Sequence, residues 1–112
     1  MKDAILKDFE NWNSGFGAWS AWADQFYTED VQYDYRGTQY DLGGLKDAMR
    51  PKLETSQRVR INNILISEDW AAIHFWSSVT NENGEKEAEN HMQFLHFVKT
   101  DSGVKVDMCF AK

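Results

Sequence analysis

The second half of the chain is what most limits the fold. From Arg58 to Lys112 it runs "RVRINNILISEDWAAIHFWSSVTNENGEKEAENHMQFLHFVKTDSGVKVDMCFAK", without proline and broken by the polar tracts "ED", "NENG" and "TDSG". Apolar and polar residues alternating between clusters of asparagine, aspartate and glycine are the pattern of antiparallel strands joined by tight turns. Four strands in a meander follow: "RVRINNILIS", "WAAIHFWSSVT", "EAENHMQFLHFVK" and "VKVDMCFAK". A sheet of this kind has an apolar face to bury, so the first half must supply the cover.

That half is mostly helical in pattern. Ile5, Leu6, Phe9 and Trp12 recur at helical spacing and predict an amphipathic helix over residues 2–12. "NSG" interrupts it, with Ser14 as the expected N-cap of a second helix whose stripe is Phe16, Trp19, Ala23 and Phe26, with Trp22 beside it. "VQYDYRG" reads as a short strand closed by Gly37, with Tyr33 and Tyr35 on one side of it. Asp41 is placed to cap a third helix, "LGGLKDAMRPKLE", which Pro51 should break or kink. Helices first and antiparallel strands afterwards make the class α+β, and 112 residues without repeats or linkers make one domain, 1–112.

Charge and composition exclude several functions. A net charge of −6 gives no basic face for nucleic acid. One cysteine, Cys109, permits no internal disulfide and no multi-cysteine metal site, and it reads as a small buried apolar group. Acids interrupt the N-terminal stretch where a signal peptide needs an apolar run, and no segment has the length of a membrane span, so no membrane partner is expected and the cytoplasm is the default location. Neither a glycine-rich phosphate loop nor a serine elbow is present, and no cofactor or metal is expected. Five tryptophans in so short a chain must bury much area or line a pocket.

Turn lengths decide which side chains share a face. With Asn83-Gly84 as a two-residue turn, Glu82 pairs with Glu85, His74 lies opposite Gln93 and Trp76 opposite His91. With Glu68-Asp69 likewise a two-residue turn, Asn63 lies opposite His74. One face then carries Asn63, His74, Trp76, His91, Gln93 and Leu95, a mixture of apolar walls and orienting polar groups that suits a ligand cavity. The other, greasier face carries Ile64, Ile73, Phe75, Met92, Phe94 and His96. A one-residue bulge would invert the assignment, and either face can equally be a subunit interface. His91 and His96 point to opposite faces, Asp30 and Asp34 read as turn-stabilising or solvated acids, and the charges of the first helix read as solvated surface.

In this order of elements the chain resembles the nuclear-transport-factor-2-like superfamily, home of SnoaL-like cyclases, ketosteroid isomerases and scytalone dehydratases. "YTEDVQYDYRG" is similar to the family's helix-end, acid and first-strand passage, and "LHFVKTDSGVKV" to its penultimate hairpin. The resemblance implies a helical hairpin and third helix packed on a strongly curved mixed, mainly antiparallel sheet, a cone-shaped α+β barrel. It places Tyr35 at a tyrosine that points into the cavity of the dehydratases and helps polarise a carbonyl. In the isomerases that place is an aspartate base, and tyrosine, with an ordinary pKa near 10, abstracts protons poorly at neutral pH. The isomerases' second acid falls near Leu95, the dehydratases' first strand histidine at Val59 if Asn63 is their asparagine, and their helical tyrosine–aspartate pair near Asn13 and Ser14. A second family histidine lies on the strand that carries His74. By the resemblance, alternate residues from Val59 through Asn63 look into the cone together with Tyr35.

Two functional readings remain. In one, the protein is a small cofactor-independent lyase or isomerase, a dehydratase or cyclase acting on a small hydrophobic carbonyl compound. His74 or His91 serves as acid and base, Tyr35 donates to the carbonyl oxygen, and Trp19, Tyr33, Asn63, Trp76, Gln93 and Leu95 line the pocket. In the other, the same fold is a non-catalytic ligand-binding or dimerising module. Either way the helices can cover only one face of the meander, so the exposed sheet face is expected to pair with a second copy about a twofold axis.

Overall fold

A computed structural model describes residues 1–54, 57–80 and 83–112. The elements follow in the order α1 (Lys2–Trp12), α2 (Phe16–Phe26), β1 (Tyr27–Tyr35), β2 (Thr38–Tyr40), α3 (Leu42–Leu53), β3 (Arg58–Ser67), β4 (Trp70–Thr80), β5 (Lys86–Thr100) and β6 (Gly103–Ala111). Three helices cover one face of a six-stranded sheet of order β2-β1-β6-β5-β4-β3. β1 runs parallel to β6 and every other pairing is antiparallel. The sheet is strongly curved but open, with β2 and β3 as free edges, so the expected barrel does not close.

Local chemistry accounts for most boundaries. Asp41 caps α3, its Oδ1 accepting from the Gly44 N–H at 2.7 Å. Pro51 lies inside α3, whose last helical residue is Leu53. The helix runs past the proline and stops within one turn of it, with the Glu54 N–H bonding the Arg50 carbonyl at 3.0 Å. The proline costs the bond to the Asp47 carbonyl near the end of the helix without breaking it there. Ser14 does not cap α2. Gly15 does, at φ +98°, and the Ser14 hydroxyl donates back to the Glu10 carbonyl at 2.8 Å, tying off α1 instead. The unforeseen strand β2 is three residues long, too short to show a period; Arg36 and Gly37, at φ +51° and +91°, turn the chain into it.

Three register shifts curve the sheet, in β1 between Tyr27 and Gln32, in β3 between Ile61 and Asn63, and on the β6 side of β5 between His96 and Phe97. Between β3 and β4 the turn is the expected one: Glu68, at φ +56°, and Asp69 join Ser67 to Trp70, and Asn63 lies opposite His74. Between β4 and β5 the expected register does not occur. Thr80 pairs with Lys86, so the connection spans five residues, 81–85, and His74 lies opposite Met92 while Trp76 lies opposite Asn90. Glu82, half of the expected Glu82–Glu85 pair, lies outside the described residues. An odd connection in place of an even one shifts β4 by one residue relative to β5, and a one-residue shift turns every β4 side chain over.

The helix-facing side of the sheet therefore carries Ala71, Ile73, Phe75 and Ser77 from β4, and His91, Gln93, Leu95 and Phe97 from β5, all buried. The helices close over them through aromatic contacts: Phe9 meets Phe75 edge-on at 5.0 Å and Trp12 meets Trp19 at 6.1 Å. On the outer side, His74, Trp76 and Asn63 lie with Met92, Phe94 and His96. Among the described residues no helix is long and apolar enough to cross a membrane.

Candidate functional site

The concave side of the sheet and α3 enclose a cavity of about 190 Å³. Tyr33 and Tyr35 of β1 and Tyr40 of β2 form one wall, and Leu45, Ala48, Met49 and Lys52 of α3 another. Phe75, Ser77 and His91 supply the floor, while Trp12 and Gln57 close the end nearest α1, joined by an indole-to-amide hydrogen bond of 3.3 Å. At the Tyr35 side the Lys52 ammonium lies 5.0 Å from the centre of the phenol ring and the Arg36 guanidinium 5.1 Å.

His91 is the chemically defined group in this cavity. Its Nδ1 lies 3.1 Å from the Lys112 carbonyl and its Nε2 2.7 Å from the Ser77 hydroxyl. A carbonyl can only accept, so Nδ1 carries the proton; in the neutral ring Nε2 then accepts from Ser77. Burial lowers the imidazole pKa below its usual 6.5, and the nearby cations Arg36 and Lys52 push the same way, against the Lys112 hydrogen bond and Glu89. The neutral form thus prevails at neutral pH. Phe75 stacks on the ring at 5.0 Å with 22° between planes and holds its orientation.

Beneath the cavity lies a second buried polar layer. Gln93 donates to the Tyr33 hydroxyl at 3.0 Å, and burial raises the phenols of Tyr33 and Tyr27 well above 10. Cys109 sits against Tyr33, its thiol pushed up by burial. Asp8, read from the sequence as solvated, is 1% exposed. It follows Ile5 by three residues and precedes Trp12 by four, so it stands in the apolar stripe of α1, a spacing that was legible in advance. Burial pushes its carboxyl up to about 7, against a 3.0 Å hydrogen bond from the Trp22 indole. The Trp19 indole N–H also favours the carboxylate, yet it meets no partner in hydrogen-bond geometry.

The structure brings together some of the residues singled out from the sequence and separates others. Tyr33, Tyr35 and His91 line one cavity. Gln93 lies behind Tyr33, Leu95 in the core, and Trp19 packs against Trp12, all three buried away from the cavity wall. His74 and Trp76 are on the opposite side of the sheet, turned over by the five-residue connection, and His74 bonds Asn90 there at 2.9 Å. Asn63, turned outward after the β3 bulge, is exposed. The hollow expected to hold both Tyr35 and His74 does not exist; the imidazole beside Tyr35 is His91. Ser77, Gln57, Tyr40 and Lys52 were not foreseen, and only Ser77 had a signal, its period-two relation to Phe75. Among the described residues no three histidine, cysteine or acidic side chains gather as a metal site would require.

Similarity to solved structures is extensive in shape and slight in sequence. AclR of Streptomyces galilaeus, a candidate hydroxylase, superposes with a TM-score of 0.82 at 16% identity, over 99% of this chain and 86% of that one. IdmH of Streptomyces antibioticus, a candidate polyketide cyclase, superposes with a TM-score of 0.83 at 13% identity, over 99% and 89%. The chain has the nuclear-transport-factor-2-like fold. A candidate SnoaL-like polyketide cyclase from Jannaschia sp. CCS1 shares it, with a TM-score of 0.72 at 12% identity over 98% and 82%. No protein-family model and no curated protein matches the sequence. At such identities the nuclear-transport-factor-2-like likeness defines architecture, and chemistry must be argued from the cavity.

Proposed function

We propose that the protein binds a small hydrophobic carbonyl compound between Tyr35, Phe75 and α3 and acts on it as a cofactor-independent lyase or isomerase. The observation that carries this reading is a neutral histidine whose Nε2 meets the Ser77 hydroxyl at the wall of an otherwise largely apolar cavity, which Tyr33 and Tyr35 also line. His91 takes a proton from the substrate, relayed through the Ser77 hydroxyl, and returns it elsewhere; the Tyr35 hydroxyl donates to the carbonyl oxygen as charge develops there. His74 has no part in this scheme. The volume of about 190 Å³ is below the roughly 300–1,000 Å³ of drug-sized sites. A single ring with short substituents fits that space, whereas a fused polycycle needs the cavity to widen. Thermal-shift screening against planar monocyclic carbonyl compounds tests the reading. A ligand at a hundred times its Kd should raise Tm by roughly 10 °C in the parent and by clearly less in Tyr35→Phe. A ligand that stabilises both equally rules out a role for the Tyr35 hydroxyl.

The outer sheet face supports a homodimer, whether or not the cavity is catalytic. Leu65, Phe94 and Phe110 form one row across it, 72%, 46% and 46% exposed, flanked by Met92 and Trp70. Contiguous exposed apolar side chains of this kind mark an association surface, and one such face can pair with its own copy about a twofold axis.

A further inference from the structure

Ser77 and His91 hold a geometry that proton transfer alone does not require. They stand on the neighbouring strands β4 and β5, on the same face, and both border the cavity. The hydroxyl oxygen is 2.7 Å from Nε2, and the proton on Nδ1 is committed to the Lys112 carbonyl at 3.1 Å. That carbonyl is itself fixed by reciprocal backbone bonds between Lys112 and Met92 of 2.9 and 3.1 Å. The base is therefore oriented by a third group, and stacking on Phe75 removes its remaining rotation. Glu89 Oε2 lies 3.6 Å from Nε2, where it stabilises an imidazolium once one forms, and Arg36 holds Glu89 at 3.3 Å. A hydroxyl, an imidazole whose lone pair faces it and an acceptor on the far ring nitrogen are the parts of an activated serine.

We propose that Ser77 is a nucleophile and His91 its general base, and that the pair transfers the acyl group of a small carboxylic ester held in the cavity. Ser77 Oγ bonds to the ester carbonyl carbon while Nε2 takes the hydroxyl proton. The carbonyl oxygen, now an oxyanion, is stabilised by Tyr35 and Lys52, whose side chains line the same cavity. The bond from carbon to the alcohol oxygen breaks, and the departing alkoxide receives the proton from Nε2. In the second half a water molecule gives its proton to Nε2, its oxygen bonds to the acyl carbon, the Ser77 ester breaks and the proton returns to Oγ. Ester and water become acid and alcohol, with no other reactant. This goes beyond the acid–base reading, which needs His91 but forms no bond to Ser77.

Incubating the full chain with p-nitrophenyl acetate, and separately with a fluorophosphonate, followed by intact-mass measurement and peptide mapping, tests the proposal. The expected result is one acetyl or phosphonyl group on Ser77, none in Ser77→Ala, and labelling slower by roughly 100-fold or more in His91→Gln. In the parent, the labelling rate should rise with pH with a midpoint below 6.5, as His91 loses its proton, and this needs no variant to fold. An unlabelled parent, an adduct mapped only to other residues, or a rate that the His91 substitution leaves unchanged overturns it. Loss of the adduct with a surviving Tyr35-dependent thermal shift removes the nucleophile and leaves the acid–base reading standing. A Ser77 adduct without that shift does the reverse.

Discussion

Replacing Asp8 with asparagine should remove a large part of the dependence of stability on pH. The carboxyl titrates near 3.8 in the unfolded chain and at about 7 when buried between the helices. Folding raises its pKa, so the native state favours the protonated acid. Its contribution is therefore most favourable below about 3.8, declines above it and is fully lost once pH has passed 7. At about 1.4 kcal/mol per pH unit the whole gap is worth roughly 4 kcal/mol, of which roughly 2.7 is lost between pH 5 and 8. With a urea m-value of about 1.3 kcal/mol/M for a domain of this size, that is a fall of about 2 M in the unfolding midpoint. The Asp8→Asn side chain keeps an oxygen for the Trp22 indole and cannot ionise. Its amide hydrogens add a cost that is the same at every pH, so the slope is informative and the absolute value is not. Urea titrations followed by tryptophan fluorescence at pH 5, 6, 7 and 8 give the comparison. The parent midpoint, measured relative to Asp8→Asn, should drop by about 2 M across the series. Parallel curves would mean that water reaches the carboxylate, and the account of a dry acid between α1 and α2 would fail.

Three further outcomes are expected. Phe94→Lys together with Leu65→Lys on the outer sheet face should give a monomer in sedimentation velocity at concentrations where the parent is a dimer; a monomeric parent refutes the pairing. Asp41→Ala, which strips the cap from α3, should destabilise by about 1 kcal/mol in urea melts and loosen the α3 wall of the cavity, and no change would show the 2.7 Å cap to be inconsequential. His96 is bonded to Asp107 at 2.6 Å and to Asp69 at 2.8 Å, and these partners, Asp107 first, raise its pKa above 6.5 against the opposing effect of burial. It favours the folded state most below 6.5 and loses that contribution as pH rises through the elevated value. An NMR titration should place its midpoint above 6.5 and show a lower one in Asp107→Asn.

Hydrophobic period, caps and turns are properties of neighbouring residues, and those of α1, α3 and the β3–β4 hairpin were readable without a structure. Ile5, Phe9 and Trp12 define α1, Asp41 begins α3, and Glu68-Asp69 pairs Asn63 with His74. The same local rules put Tyr33 and Tyr35 on one side of β1, and both face the cavity. The face that period gave to Ile73 and Phe75, shared with Met92 and Phe94 and opposite the cavity, is not the one they occupy: both turn towards the helices beside His91 and Gln93.

What local pattern could not supply was parity. Whether the β4–β5 connection has two residues or five is decided by the fit of two long strands against the helices and against each other, and it chooses His91 over His74. The bulge after Ile61 likewise turns Asn63 outward, because a curved sheet must give up one pairing to bend. Asp8 was in the stripe all along, but only the closing of α2 over it turned a charged helix position into a dry acid. Chain order set the elements; contact between distant segments set which of their faces meet and which polar groups share an enclosure, since desolvation and hydrogen bonding depend on neighbours that sequence distance does not reveal.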